Sequence, residues 1–317
     1  MTPSALLRPD VLVLAGGGIV GEAWMNGVLA GIEDGGGADF RRVESYVGTS
    51  AGSIVAARLA SGRRPPRPDA TDDDAAAWGA EGVEAGVNEA GGGLRGVMRD
   101  AARLGWAMSA PVTGAAVAAS APAGALARAA VLSRAAGHGR ALHQLHDRVA
   151  RWGARFDGRL RVCTVDRRTG RRAVFGAPGA PAATVADAVC ASCAIPWVFA
   201  PVQIAGREYV DGGAWSVTNL DAAHAGRDTH VLCLDPAASL GGHDRRTAAL
   251  RGAFRLASAL EIQGLRRRGA RVVHLAPDGG AAKAMGPNFM APSRIAGAQR
   301  AGYAQGRRLA AADAAAG

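Results

Sequence analysis

One stretch, Val43-Glu44-Ser45-Tyr46-Val47-Gly48-Thr49-Ser50-Ala51-Gly52-Ser53, constrains this chain more than any other. It predicts a β-strand over Val43–Val47 that passes through G-x-S-x-G into a helix over Ser53–Leu59. So tight a turn holds its central serine in a strained backbone conformation with the hydroxyl presented outward. Positions 48 and 52 call for glycine because a side chain there would meet the flanking strand or helix. Ser50 stands at the helix start, where free N–H groups and the helix dipole favour developing negative charge. An ordinary Gly/Ser turn uses the same residues, so the weight of the motif depends on what accompanies it.

A second strand-to-glycine junction precedes it. Val11–Ala15 reads as a buried strand, Gly16-Gly17-Gly18-Ile19-Val20-Gly21 as a loop, and Glu22–Ile32 as a crossover helix. Successive glycines let backbone N–H groups point into a cavity, which is how an oxyanion hole is built. The same residues fit the dinucleotide fingerprint G-x-G-x-x-G, with Asp39 and Glu44 near the distance of a ribose-binding acid. That acid should end the second strand, and none stands at the tip of this one. Both glycine turns follow strands of one parallel sheet, so both lie at the same sheet edge. A third element, Tyr209-Val210-Asp211-Gly212-Gly213-Ala214, delivers an aspartate into a glycine turn. A hairpin of Val202–Ile204 and Glu208–Val210 presents it. A carboxylate held there can act as general base for a serine, although Asp-Gly is also a common turn pair.

Together these elements, with Ala191-Ser192-Cys193-Ala194-Ile195-Pro196 as a fourth block matching A-S-x-A-x-P, resemble the patatin-like phospholipase family. The matching blocks span residues 11 to about 220, and the C-terminal third agrees in outline only. The resemblance implies a three-layer α/β/α fold with a mainly parallel central sheet. It implies acyl-ester hydrolysis of lipids, of the phospholipase A, lysophospholipase or esterase type, by a Ser-Asp dyad without a catalytic histidine. By position Ser50 is the nucleophile and Asp211 the base. Gly17 and Gly18 are the oxyanion donors, with Gly16 and Ile19 as further donors, and Gly48 and Gly52 frame the elbow. Neither metal nor organic cofactor is needed for that chemistry.

The chain departs from the family at Val20, where many members carry Arg or Lys. The amides remain, so activity is expected to be weaker or altered in preference. Three rivals stay open. One is a Ser-His-Asp triad drawing on His224, His230, His243 or His274. Another is acyl-CoA- or carrier-dependent transacylation. The last is a catalytically weakened, membrane-associated binding module.

The 317 residues suit a single α/β domain over 1–317. Only Lys283 among the 37 basic residues is lysine, and with the Ala and Gly load this reads as a GC-rich bacterial genome. The net charge of +10 would suit an anionic membrane surface. Aromatic residues, at 5%, are too few for a nucleic-acid stacking platform, so no nucleic-acid partner is expected. Oligomeric state carries no motif. Cys163, Cys190, Cys193 and Cys233 read as small core residues in a reducing compartment, and the C-x-x-C pair lacks a second ligand pair for zinc. Residues 1–10 lack signal-peptide form, so a cytoplasmic location with peripheral membrane contact is expected. Residues 104–127 carry no charge, but Pro111 and Pro122 interrupt them and their hydrophobicity is weak for a span. Residues 61–74 read as a linker. Residues 75–146 read as a helical, lid-like insert with Trp106, Met108, Val112 and Val117 as apolar contacts. His138, His143 and His146 in that insert read as a solvated face.

Overall fold

A computed structural model describes residues 8–68, 122–134, 142–196, 198–239 and 245–316. In chain order the elements are β1 (Val11–Leu14), α1 (Gly18–Gly36), β2 (Ser45–Thr49), α2 (Ala51–Ala60), α3 (Pro122–Ser133) and α4 (His143–Arg151). Then come β3 (Leu160–Asp166), β4 (Arg172–Phe175), α5 (Val185–Ser192), β5 (Val202–Ile204), β6 (Arg207–Asp211) and β7 (His230–Leu234). The C-terminal third holds α6 (Arg245–Arg267), β8 (Arg271–Leu275), α7 (Gly279–Met285) and α8 (Ile295–Ala316).

The strands form one eight-stranded sheet in the order β5-β6-β3-β2-β1-β7-β8, with β4 also on β3. The run β3-β2-β1-β7-β8 is parallel, and β4, β5 and β6 close one edge antiparallel. Strand residues alternate between two cores. Leu12, Leu14, Tyr46, Leu232 and Leu234 join the helices α1, α2, α4 and α5 on one face. Val11, Val13, Val47, Val231 and Cys233 meet Leu265 and Ile262 of α6 on the other. A parallel sheet covered on both faces reads as continuous apolar runs, which is why Val11–Leu14 shows no polar alternation. This is the α/β/α sandwich with a mainly parallel sheet that the resemblance implies.

Helix α1 is buried from Ile19 to Glu33 because α8 covers its outer side. Glycine makes that approach close. A Cβ on Gly27 would collide with the Gln299 carbonyl, one on Gly31 with the Tyr303 carbonyl, and one on Gly306 with the Val28 carbonyl. The Trp24 indole N–H donates to Gln305 Oε1 across the seam at 3.0 Å. A Gly31→Val variant must therefore push two backbones apart, and it should lose about 3 kcal/mol or more in urea or thermal unfolding. Gly37→Ala places its Cβ in open space at a positive φ of 69° and should lose only about 1–2 kcal/mol. Equal losses would contradict the contact argument.

Several boundaries differ from the sequence expectation. Helix α1 starts at Gly18 rather than Glu22, because the glycine loop already makes its first turn through the Gly21 N–H to the Gly17 carbonyl at 2.9 Å. The short helix α7 is not anticipated, since it opens on Gly279-Gly280. The Asp278 side chain caps it by accepting the Ala281 N–H at 2.9 Å. The expected linker falls among the described residues only up to Pro68, and there it is docked. Arg64 and Arg67 pair with the buried Glu33 at 3.2 and 3.0 Å, and the Pro66 carbonyl accepts the Gln299 amide. Of the expected insert, residues 75–121 and 135–141 lie outside the described residues, Trp106, Met108, Val112 and Val117 included. Its end is part of the body: Leu142 and Leu145 sit in the main core. Among the described residues no helix is long and apolar enough to cross a membrane.

Candidate active site

β2 ends at Thr49 and α2 begins at Ala51, so Ser50 makes the whole reversal with φ 51° and ψ −125°. A non-glycine residue held at such a φ costs about 1–3 kcal/mol and persists only where its surroundings impose it. The surroundings here are tight. A Cβ on Gly48 would stand 2.5 Å from the Ser53 Cα, and one on Gly52 would collide with the Leu14 carbonyl. The Ser50 carbonyl is fixed by the Ser53 hydroxyl at 2.6 Å and the Ser53 N–H at 2.8 Å.

Asp211 closes β6 and begins the tight turn Gly212–Ala214. Glycine at 212 lets this turn lie on β3, where a Cβ would collide with the Cys163 carbonyl. The Asp211 carboxylate accepts the Gly213 N–H at 2.7 Å, and the Ser50 side chain lies close enough to it to lower its pKa. Burial pushes its pKa up to about 6, against the opposing pull of Ser50 and the Gly213 N–H. Ser50 and Asp211, both buried, are thus brought near each other from strands at different places in the sheet.

The glycine loop lies beside them, since a Cβ on Gly16 would stand 3.6 Å from the Ser50 Cβ. The Gly16 N–H, however, donates to the Val217 carbonyl at 2.9 Å. That corrects the expectation of Gly16 as an oxyanion donor: its amide is used to tie the loop to the segment after the Asp211 turn. Among the described residues the N–H groups of Gly17, Gly18 and Ile19 meet no backbone acceptor. Neither α1 nor α2 has an acidic residue in its own first turn. Val20 is wholly buried, and its N–H donates to the Phe289 carbonyl at 3.1 Å.

Two contributors are invisible to motif reading. The Asn219 side-chain amide donates to Thr49 Oγ1 at 3.0 Å and to the Ser216 carbonyl at 2.5 Å, joining the strand before Ser50 to the segment after Asp211. From the far end of the chain, Phe289 and Met290 cover the glycine loop. A Cβ on Gly18, itself at φ 58°, would stand 2.7 Å from the Phe289 carbonyl oxygen and 2.8 Å from the Met290 sulfur.

The histidines lie elsewhere. His274 pairs with Asp235 at 3.1 Å and His146 with Asp187 at 3.3 Å, and His230 opens β7, where its backbone N–H donates to Asp10. His143 and His224 are exposed, and His138 and His243 fall outside the described residues. No histidine is among the partners of Asp211 in the described residues. All four cysteines are free and buried, and burial pushes the Cys163 and Cys190 thiols up to about 12. Among the described residues no group of three His, Cys, Asp or Glu side chains could hold a metal ion.

The family model for patatin-like phospholipase matches residues 12–224, a span that holds the glycine loop, Ser50 and Asp211. No curated protein sequence matches the chain. Among solved structures, the crystal structure of VipD from Legionella pneumophila is similar at 16% identity with a TM-score of 0.44, covering 96% of this chain and 67% of that one. With well over half of its length matched by the family model, this chain belongs to the patatin-like phospholipase family, a family of lipid acyl hydrolases.

Proposed function

We propose that the protein is a serine acyl-ester hydrolase of lipids in which Ser50 is the nucleophile and Asp211 its general base. The observation that carries this reading is Ser50, held at a positive-φ turn beside a buried carboxylate whose pKa it lowers. Asp211 takes the proton as Ser50 Oγ attacks the ester carbonyl. The carbonyl oxygen becomes an oxyanion, accepted by the N–H groups of Gly17, Gly18 and Ile19 at the positive end of α1. Each well-aimed donor of this kind contributes about 3 kcal/mol to the barrier reduction. The tetrahedral intermediate collapses, the alcohol leaves with the proton from Asp211, and Ser50 carries the acyl group. A water then loses its proton to Asp211 and attacks the acyl-enzyme, and as the fatty acid leaves Asp211 returns the proton to Ser50 Oγ. With Val20 neutral, the oxyanion depends on the amides alone, which keeps the expectation of modest turnover.

The one-domain organisation with a substrate-selecting insert remains part of this proposal. So does contact with an anionic lipid surface. Leu256 and Leu260 on α6 are 55% and 43% exposed beside exposed Arg255, Arg266 and Arg267. Basic residues near an anionic membrane contribute about 1 kcal/mol each.

The test is hydrolysis of a short-chain p-nitrophenyl ester and of phospholipid vesicles, followed across pH. Only the carboxylate form of Asp211 can accept the proton, so kcat/KM should rise with pH and reach half its plateau near about 6. A profile already flat at pH 4 would contradict a buried carboxylate base. Transfer of the acyl group to an added alcohol or thiol, with little free fatty acid, would instead favour the transacylase.

A further inference from the structure

The block Ala191-Ser192-Cys193-Ala194 has no role in the cycle just described, although it is buried and belongs to neither the elbow nor the glycine loop. Its residues touch both partners of the proposed dyad. The Ser192 hydroxyl, with no exposed surface, accepts the Ser50 N–H at 2.8 Å and donates to the Cys163 carbonyl at 2.7 Å. One residue on, Cys193 Sγ lies 4.0 Å from Ser53 Oγ in the first turn after Ser50. The Ala194 carbonyl then accepts the Asp211 N–H at 3.0 Å.

We infer that this block is a clasp, and that Ser192 is a positioning residue that holds the Ser50 backbone in its reactive conformation relative to Asp211. The inference rests on the Ser50–Asp211 reading above. The physical case starts from the amide of Ser50. At φ 51° this N–H leaves the path of both β2 and α2, so no regular element can accept it. A buried N–H without an acceptor is costly, and a strained residue persists only when its neighbours over-determine it. A serine hydroxyl has one donor and two acceptor sites. Here the donor is used on Cys163, which orients a lone pair at the Ser50 N–H. Cys163 lies on β3, and β3 also pairs with β6 through Thr164 and Asp211. Ser192 therefore references the nucleophile to the strand that carries the base's partner. Alanine there would leave Ser50 N–H and the Cys163 carbonyl unpaired, and the turn would relax.

The experiment compares Ser192→Ala, Ser192→Thr and a control, Thr184→Ala, in the full-length protein. Thr184 caps the other end of α5 through a capping box with Asp187, so its loss weakens the same helix without touching the clasp. Kinetics with the p-nitrophenyl ester are read alongside thermal melts and the rate of covalent labelling by a fluorophosphonate. Ser192→Ala should lower kcat and the labelling rate by about 100-fold, the size expected for a small misplacement of a reacting group, with KM within about threefold of wild type. Ser192→Thr keeps the hydroxyl and should recover much of both. Thr184→Ala should melt lower and keep its kcat.

Full kcat in Ser192→Ala, while Ser50→Ala is inactive, would overturn the clasp and leave the dyad standing. An equal loss of kcat in Thr184→Ala would also overturn it, because the effect would then follow helix stability. An inactive, folded wild type would overturn the hydrolase reading and the clasp together.

Discussion

Ser50→Ala should abolish ester hydrolysis in a protein that still folds. The loss in kcat should be at least about 10⁴-fold, as for other serine hydrolases stripped of their nucleophile. No nearby hydroxyl can replace it. Ser53, one turn on, is wholly buried and its hydroxyl is spent on the Ser50 carbonyl. Ser192 is wholly buried and committed to Cys163. The backbone conformation adds a second readout. Alanine at φ 51° keeps the strain of the turn, whereas glycine removes it. Ser50→Gly should therefore be as inactive as Ser50→Ala yet more stable by about 1 kcal/mol. A Ser50→Ala variant that retained wild-type turnover would show that the elbow serine is not the nucleophile.

Asp211→Asn should be the other inactivating change, with kcat down by about 10³- to 10⁴-fold at pH 8, the range of a lost general base. It should also make the protein more stable at that pH. Burial raises the folded-state pKa of Asp211 from the ordinary 3.8 to about 6. Between those values the folded protein keeps a proton that the unfolded chain has released. A group with a raised pKa therefore loses stability as pH climbs through that window. The penalty reaches about 3 kcal/mol once both states are ionised. Asparagine is neutral at every pH and escapes it. The melting-temperature gain of Asp211→Asn over wild type should thus be near zero at pH 4 and largest above pH 7. A gain that did not grow with pH would mean the carboxylate is better solvated than its burial implies.

Local residue patterns carry most of the strand layout. The run Val202–Ile204 is a strand at the boundaries its residues predict, because it is a short apolar-rich run bounded by Pro201 and the Ala205-Gly206 turn. The two-sided burial of the parallel strands is also legible, in the unbroken apolar character of Val11–Leu14. What the chain does not reveal locally is how distant backbones meet. The Gly16 amide looks as available as that of Gly17 until the Val217 carbonyl is seen to take it. A backbone acceptor leaves no mark on residue type. The same holds for the Phe289 carbonyl on Val20, where the sequence shows only that a basic residue is missing. Arg64 and Arg67 look like solvated charges in a Pro-rich stretch, and only the fold brings the buried Glu33 to them. Motifs name Ser50 and Asp211, but their proximity depends on β6 pairing with β3 beside β2, which no spacing in the chain encodes.

The central claim is that Ser50 becomes covalently acylated with Asp211 as its base. Its most direct test is peptide mapping by mass spectrometry after fluorophosphonate treatment of wild type, Ser50→Ala and Asp211→Asn at pH 8. The account predicts one adduct, on Ser50, in wild type, none in Ser50→Ala, and strongly slowed labelling in Asp211→Asn. An adduct on another residue, or labelling of Asp211→Asn at the wild-type rate, would contradict it.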